Sequence, residues 1–205
     1  MAKPQSGTWA SHAYTDAKDV TPVDKRVGEV RAATMTVGSS CIPNTTLTAA
    51  LQVNPPTARG MLSDFRDLSE GDYVIQNGAN SAVGQAVIQI AAARKLHTIN
   101  VVRNRPNLEE LKQHLISLGA THVITDEQLA DKATRSKVKE WTQGKDIKLG
   151  LNCVGGKMTT ILAGYLGHNA ALVSYGAMSK SPLSLPTSLF IFKNLVSYGY
   201  WQSRW

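Results

Sequence analysis

Cysteine is scarce: the 205 residues hold two, Cys41 and Cys153. That spacing supports neither a disulfide framework nor a zinc site, and a reducing compartment is the expectation. No apolar run approaches the roughly 18 residues that a membrane-spanning helix requires. Lys and Arg form no solid block, which disfavours a nucleic acid partner. The five histidines, His12, His97, His114, His122 and His168, are scattered and lack the spacing of ligand pairs, so no metal is expected. There is no Gly-x-Ser-x-Gly elbow and no Walker loop. The start, Met1 to Gly7, shows neither an apolar signal core nor an Arg-rich presequence; no targeting signal is legible there.

What is present reads as globular. Hydrophobic residues make up 42% and charged residues 18%, and the length suits one domain or one and a part. The net charge of +7 suits an anionic partner, such as a phosphorylated cofactor or an acidic carrier.

Residues up to about 50 carry little periodicity. Asp16 to Arg31 reads as loop, and Thr34–Val37 as a short strand. From Ala49 the pattern sharpens. The spacing predicts a helix from Pro56 to Phe65, since proline is tolerated in a first turn. Units of strand and helix then alternate. Tyr73–Gln76 predicts a buried strand. Gly78 to Gly84 predicts a tight turn, and a helix follows with Val83, Val87, Ile90 and Ala91 on one face. Thr98–Val102 predicts a second strand. Pro106 opens a helix with the stripe Leu108, Leu111, Leu115 and Leu118, closed by Gly119. His122–Thr125 predicts a third strand, Ala133 to Trp141 a polar helix, and Ile147–Cys153 a fourth strand. Met158 to Leu166 reads as helix, Ala171–Tyr175 as a fifth strand, Leu185 to Asn194 as helix and Val196–Trp201 as a sixth strand. This alternation predicts an α/β fold: a Rossmann-like, doubly wound parallel sheet with helices on both faces. Ligands bind such sheets at the carboxyl ends of the strands.

The first strand-to-helix turn is Asn77-Gly78-Ala79-Asn80-Ser81-Ala82-Val83-Gly84. Small residues there let a pyrophosphate approach the backbone, and the helix N-terminus offers N–H groups to it. A Gly-x-Gly-x-x-Gly fingerprint would put glycine at 79, 81 and 84; only Gly84 obeys. After the second strand stands Arg103-Asn104-Arg105, with no acid to hold a ribose 2′-hydroxyl. Two guanidinium groups suit a 2′-phosphate, so NADPH is the expected cofactor. Asn152-Cys153-Val154-Gly155-Gly156 ends the fourth strand. Nothing in the sequence activates Cys153, which reads as a small buried residue. Tyr175-Gly176-Ala177-Met178 and Tyr200-Trp201 end later strands; for Tyr200 and Trp201, cofactor contact and packing at the core edge both stay open.

These residues resemble one family. Asp72–Asn77, Asn80–Gln85, Val102–Pro106, Leu151–Lys157, Tyr175–Met178 and Ile191–Asn194 occur in the order seen in mitochondrial enoyl-[acyl-carrier-protein] reductases, particularly the fungal ones. Gly7-Thr8-Trp9 and Val53-Asn54-Pro55 match the preceding segment. The likeness covers nearly the whole chain and is loosest from Tyr14 to Thr48. It implies NADPH-dependent reduction of the 2,3 double bond of a trans-2-enoyl thioester, carried on CoA or acyl carrier protein, in mitochondrial fatty acid synthesis. It implies NADPH contacts from Asn54, Asn80, Ser81, Ala82, Val83, Arg103, Asn104, Arg105, Tyr175, Gly176, Ala177, Met178, Tyr200, Trp201 and Gln202. Ala177 stands where the family has glycine, and Tyr200 where it has phenylalanine. By the same resemblance, residues 1–48 are an incomplete remnant of a second, barrel-like catalytic domain, and 49–205 a dinucleotide-binding domain incomplete at its C-terminus. The family's catalytic tyrosine has no counterpart in this chain, so no catalytic residue is assigned. A homodimer or a larger protein assembly is the expected protein partner. Two other readings are a non-catalytic, reductase-derived module and a quinone-reductase-like relative with another acceptor.

Overall fold

A computed structural model describes residues 53–205. The readings for residues 1–48, among them the strand at Thr34–Val37, lie outside the described residues. The chain divides between Thr57 and Ala58, and the second unit, Ala58–Trp205, is compact. Helix α1 (Asn54–Ser63) begins two residues before Pro56, and both prolines sit in its first turn, where a missing N–H costs nothing.

Six strands form one sheet: β1 (Tyr73–Asn77), β2 (His97–Val102), β3 (His122–Thr125), β4 (Ile147–Asn152), β5 (Leu166–Ser174) and β6 (Val196–Gly199). Their order is β3-β2-β1-β4-β5-β6, and every pairing is parallel. The chain winds outward from β1 to β3, then returns to lay β4 beside β1. The order therefore reverses between β1 and β4, which is where a doubly wound sheet opens a crevice. The expected doubly wound parallel sheet is what the described residues form.

Both faces are covered, which is why the strands read as near-continuous apolar runs. Tyr73, Ile75, Ile99 and Val101 pack on one side with Leu162 and Leu166. Val74, Leu149, Leu151 and Val173 pack on the other with Val87, Ala91, Met61 and Leu62. Successive β1 residues point to opposite faces, as strand pleating requires. Each fully buried leucine, such as Leu149, contributes roughly 2 kcal/mol by leaving water.

The helices after α1 are α2 (Ala82–Ala93), α3 (Leu108–Ser117), α4 (Asp126–Ala130), α5 (Lys132–Trp141), α6 (Gly156–Gly164) and α7 (Thr187–Lys193). Three details differ from the sequence reading. The expected face of α2, Val83, Val87, Ile90 and Ala91, packs on one cluster, and Ile88 is buried as well because α2 also packs sideways against Leu115 of α3. Strand β5 starts at Leu166 rather than Ala171, with a register shift opposite Ile147 and Leu149. Helix α4 was not expected. Thr125 builds it through a capping box: its hydroxyl accepts from the Gln128 amide, and the Gln128 side chain accepts from the Thr125 amide.

At the amino end of the sheet, away from the crevice, His97, Tyr73, His122 and Trp141 form a ladder of rings. His122 lies flat on Trp141, with centroids 4.0 Å apart, and Tyr73 is tilted by 31° against His97 at 4.8 Å. Burial holds the His122 pKa below its usual value, and the neighbouring His97 adds to that. A histidine with a depressed folded-state pKa binds its proton more readily when unfolded. Its contribution is therefore present above the unfolded pKa and is lost as pH falls through the folded one. A urea titration at pH 7.5 and at 5.5 should show a larger loss of stability in the wild type than in His122→Phe, which keeps the stacking and cannot titrate.

Candidate functional site

The crevice is framed by backbone geometry that few side chains would permit. After β1 the chain turns at Gly78, whose φ is +59°. A Cβ on Gly78 would lie 2.3 Å from the Cys153 Sγ. Ala79 is fully buried, and its amide donates to the Val101 carbonyl at 3.3 Å. Ser81 is extended, with φ −69° and ψ 161°, and caps α2; its hydroxyl accepts from the Gly84 amide at 3.1 Å. A Cβ on Gly84 would meet the Ala79 carbonyl oxygen at 2.6 Å. The positions that demand glycine are thus 78 and 84. Positions 79 and 81 do not, which explains why the fingerprint looks degenerate. The leading N–H groups of α2 have no partner within the helix and favour an anion.

Two buried asparagines hold the crevice open. β1 and β4 pair only as far as Gln76 and Leu151. Beyond that point side chains replace the ladder. The Asn77 amide nitrogen donates to the Asn152 Oδ1 at 2.9 Å, and the Asn77 Oδ1 accepts from the Cys153 amide at 2.8 Å. The same Asn152 oxygen accepts from Thr159 Oγ1 at 2.7 Å, Val154 N at 3.1 Å and Gly155 N at 3.0 Å. Its amide nitrogen donates to Ser174 Oγ at 3.0 Å.

The resulting cleft has a volume of about 440 Å³ and is lined by Asn77, Gly78, Asn80, Ser81, Val101, Val102, Arg103, Asp126, Val154, Met158, Met178 and Ser179. These come from the carboxyl ends of β1, β2, β3 and β4 and from the segment after β5. Of the residues expected from the sequence, Asn80, Ser81, Arg103 and Met178 line the cleft, and Ala82 and Val83 form the first turn of α2 above it. Asn104 is exposed and donates to Glu127 Oε2 at 3.1 Å. Arg105 is half-buried and does not line the cleft. Gly176 passes close to Cys153, where a Cβ would sit 3.1 Å from its carbonyl oxygen. Ala177 is exposed, and the Met178 amide donates to the Cys153 carbonyl at 2.9 Å.

Tyr175 has a buried hydroxyl without a hydrogen-bond partner. Burial pushes its pKa well up, and the neighbouring Cys153 thiol adds to this. Burial likewise raises the Cys153 thiol, which keeps it protonated and unreactive, as its surroundings in the sequence suggest. Tyr200 is buried, edge-on to Phe65 at 5.5 Å, and its hydroxyl donates to Gln202. Trp201 is 59% exposed beneath the Arg204 guanidinium. Asn54 opens α1 and is half-buried; it belongs to the unit that ends at Thr57. The sequence reading names Asn77 and Asn152 within their motifs but gives their side chains no role, and it passes over Asp126. The first two are legible as polar residues ending apolar strands, and the third as the acidic residue directly after the Thr125 cap.

Gly78→Ala tests the turn. The left-handed conformation should cost about 1–2 kcal/mol, with more from the Cys153 contact. Thermal unfolding of Gly78→Ala beside Gly78→Ala/Cys153→Ala should show partial recovery in the double variant.

Residues 82–205 match the family model described as zinc-binding dehydrogenase, beginning at the first residue of α2. The chain belongs to this family. Within it, the resemblance to the enoyl reductases is borne out. The chain is 48% identical over 200 residues to the mitochondrial enoyl-[acyl-carrier-protein] reductase of Yarrowia lipolytica, covering 97% of this chain and 48% of that protein. It is similar in structure to the mitochondrial 2-enoyl thioester reductase Etr1p/Etr2p heterodimer from Candida tropicalis, with a TM-score of 0.71 and 47% identity over 73% of this chain and 42% of that one. An Etr1p complex with NADP and crotonyl-CoA matches with a TM-score of 0.72 and 45% identity over 74% and 43%. The chain spans about half the length of the curated relatives it matches. Despite the family's descriptive title, no group of three or more His, Cys, Asp or Glu side chains is placed to hold a metal ion among the described residues.

Proposed function

We propose that this chain binds NADPH in the cleft at the β1–β4 crevice and forms the cofactor half of a reductase for trans-2-enoyl thioesters. The observation that carries the reading is the turn from Gly78 to Gly84: two glycines whose Cβ atoms would strike neighbouring atoms at 2.3 and 2.6 Å, placed against a helix N-terminus. This cradle fits a pyrophosphate. Asn80, Ser81, Ala82 and Val83 hold it there. Arg103, at the end of β2 where an NAD site would carry an acid, takes the 2′-phosphate, and Met178 closes the opposite wall. Asn54, Asn104, Arg105, Tyr175, Gly176, Ala177, Tyr200, Trp201 and Gln202 complete the proposed contact set on the strength of the resemblance.

When bound, NADPH supplies a hydride for the β-carbon of the enoyl thioester. The chain's own residues orient the cofactor: the Asn77–Asn152 pair joins the ends of β1 and β4 and so fixes the crevice width. No described residue is assigned the proton delivery. By the same reading the substrate is an enoyl-CoA or enoyl-acyl-carrier-protein, the process is mitochondrial fatty acid synthesis in the mitochondrion, and the protein works as a dimer or in a larger assembly.

The test is to titrate the purified chain with NADPH while following cofactor fluorescence, then add crotonyl-CoA and follow absorbance at the nicotinamide band. Binding followed by oxidation supports the whole reading. Binding without oxidation supports the cofactor site and favours the non-catalytic module. A chain that ignores NADPH contradicts the reading.

A further inference from the structure

One residue in the cleft has the wrong sign for its proposed guest. Asp126 lines a site that otherwise offers a helix N-terminus and the Arg103 guanidinium. A carboxylate beside a polyanion weakens its binding unless it accepts a hydrogen bond from it. Its position identifies the donor. In a doubly wound sheet the pyrophosphate sits at the first turn and the ribose at the end of the second strand. The base then lies further along, over the ends of β2 and β3, between Val102 and Arg103 on one side and Asp126 on the other. The Asp126 side chain is set in place: its Oδ1 accepts from the Glu127 amide at 3.1 Å, leaving Oδ2 for a ligand. The wall is braced as well, because the Asn104 amide donates to Glu127 across the β2 and β3 loops.

We propose that Asp126 reads the base of the cofactor by accepting a hydrogen bond from the exocyclic amine of adenine, with the Arg103 plane stacked on the ring. Adenine offers an N–H₂ donor at its six position, where hypoxanthine and guanine offer a carbonyl acceptor. A carboxylate attracts the first and repels the second. Asp126 is thus a specificity-determining residue for the base, as Arg103 is for the ribose phosphate. This inference rests on the NADPH reading above.

The probe is reduced nicotinamide hypoxanthine dinucleotide phosphate, which carries a 6-carbonyl and an adjacent N1–H where NADPH carries the 6-amine and an unprotonated N1. The wild-type chain should bind NADPH about tenfold more tightly than this analogue, the scale of one charged hydrogen bond. Asp126→Asn keeps the acceptor for the Glu127 amide and adds a donor that suits the carbonyl, so the preference should vanish or reverse. Circular dichroism melts of both proteins establish that the variant is folded. Equal affinity of the wild type for the two cofactors would overturn the inference and leave the NADPH site standing. Tighter binding of both by Asp126→Asn would also overturn it, marking Asp126 as a repulsive charge only. If the wild type binds neither, the NADPH reading falls and this inference with it.

Discussion

Asn152→Ala is expected to lower the free energy of unfolding by about 3 kcal/mol or more. Asn152 is 2% exposed, and one side-chain oxygen accepts from four donors: Asn77 Nδ2, Thr159 Oγ1, Val154 N and Gly155 N. Truncation leaves those groups without an acceptor where water enters poorly. Each buried group left unsatisfied costs roughly 1–3 kcal/mol, and relaxation recovers part of the sum. Ser174→Ala is the control. It removes only the bond from the Asn152 amide nitrogen, for about 1 kcal/mol. Urea midpoints for the two variants should differ in that order. Similar small shifts would mean that the crevice does not depend on the asparagine bridge.

The second large effect concerns cofactor choice. Arg103→Ala should weaken NADPH about 10- to 100-fold, the scale of lost charged hydrogen bonds, while NADH affinity changes little. Arg103→Lys should fall between, because an ammonium cannot form the two-pronged contact a guanidinium makes with a phosphate. Arg105→Ala should matter less, since Arg105 does not line the cleft while Arg103 does. Calorimetric titrations with both cofactors at one salt concentration decide this. Equal losses for NADPH and NADH would remove the phosphate from the account.

Much of this architecture is legible in the residues. The strands β1, β2, β4 and β5 are apolar runs because the sheet is covered on both faces, so their existence follows from composition alone. Their edges do not. The early start of β5 depends on a register shift against β4, a tertiary feature with no local signal. Helix α4 had a signal, the Thr125 and Gln128 capping box, but five residues carry too little periodicity to reveal it. On α2, a stripe drawn for one packing surface finds Val83, Val87, Ile90 and Ala91 and overlooks Ile88, which a second surface against α3 buries.

The site was legible in its outline and not in its supports. The small-residue turn and Arg103 announce themselves by position after β1 and β2. Tyr200 carries a weaker signal: an aromatic at a strand end suits cofactor contact as well as packing, and it lies edge-on to Phe65. Asn77 and Asn152 are separated by a long stretch of sequence, and only the sheet order places them together. Asp126 reaches the cleft because β3 lies beside β2.

The most direct measurement is amide hydrogen exchange of the chain with and without saturating NADPH. The account predicts slowed exchange at Gly78 to Val83, at Arg103 and Asp126 where the β2 and β3 ends meet the cleft, and at Tyr175 to Ser179. The amino end of the sheet, around His97 and His122, should be unchanged. Protection confined to that end, or NADPH binding that leaves Gly78 to Val83 unprotected, would contradict a cofactor site at the β1–β4 crevice.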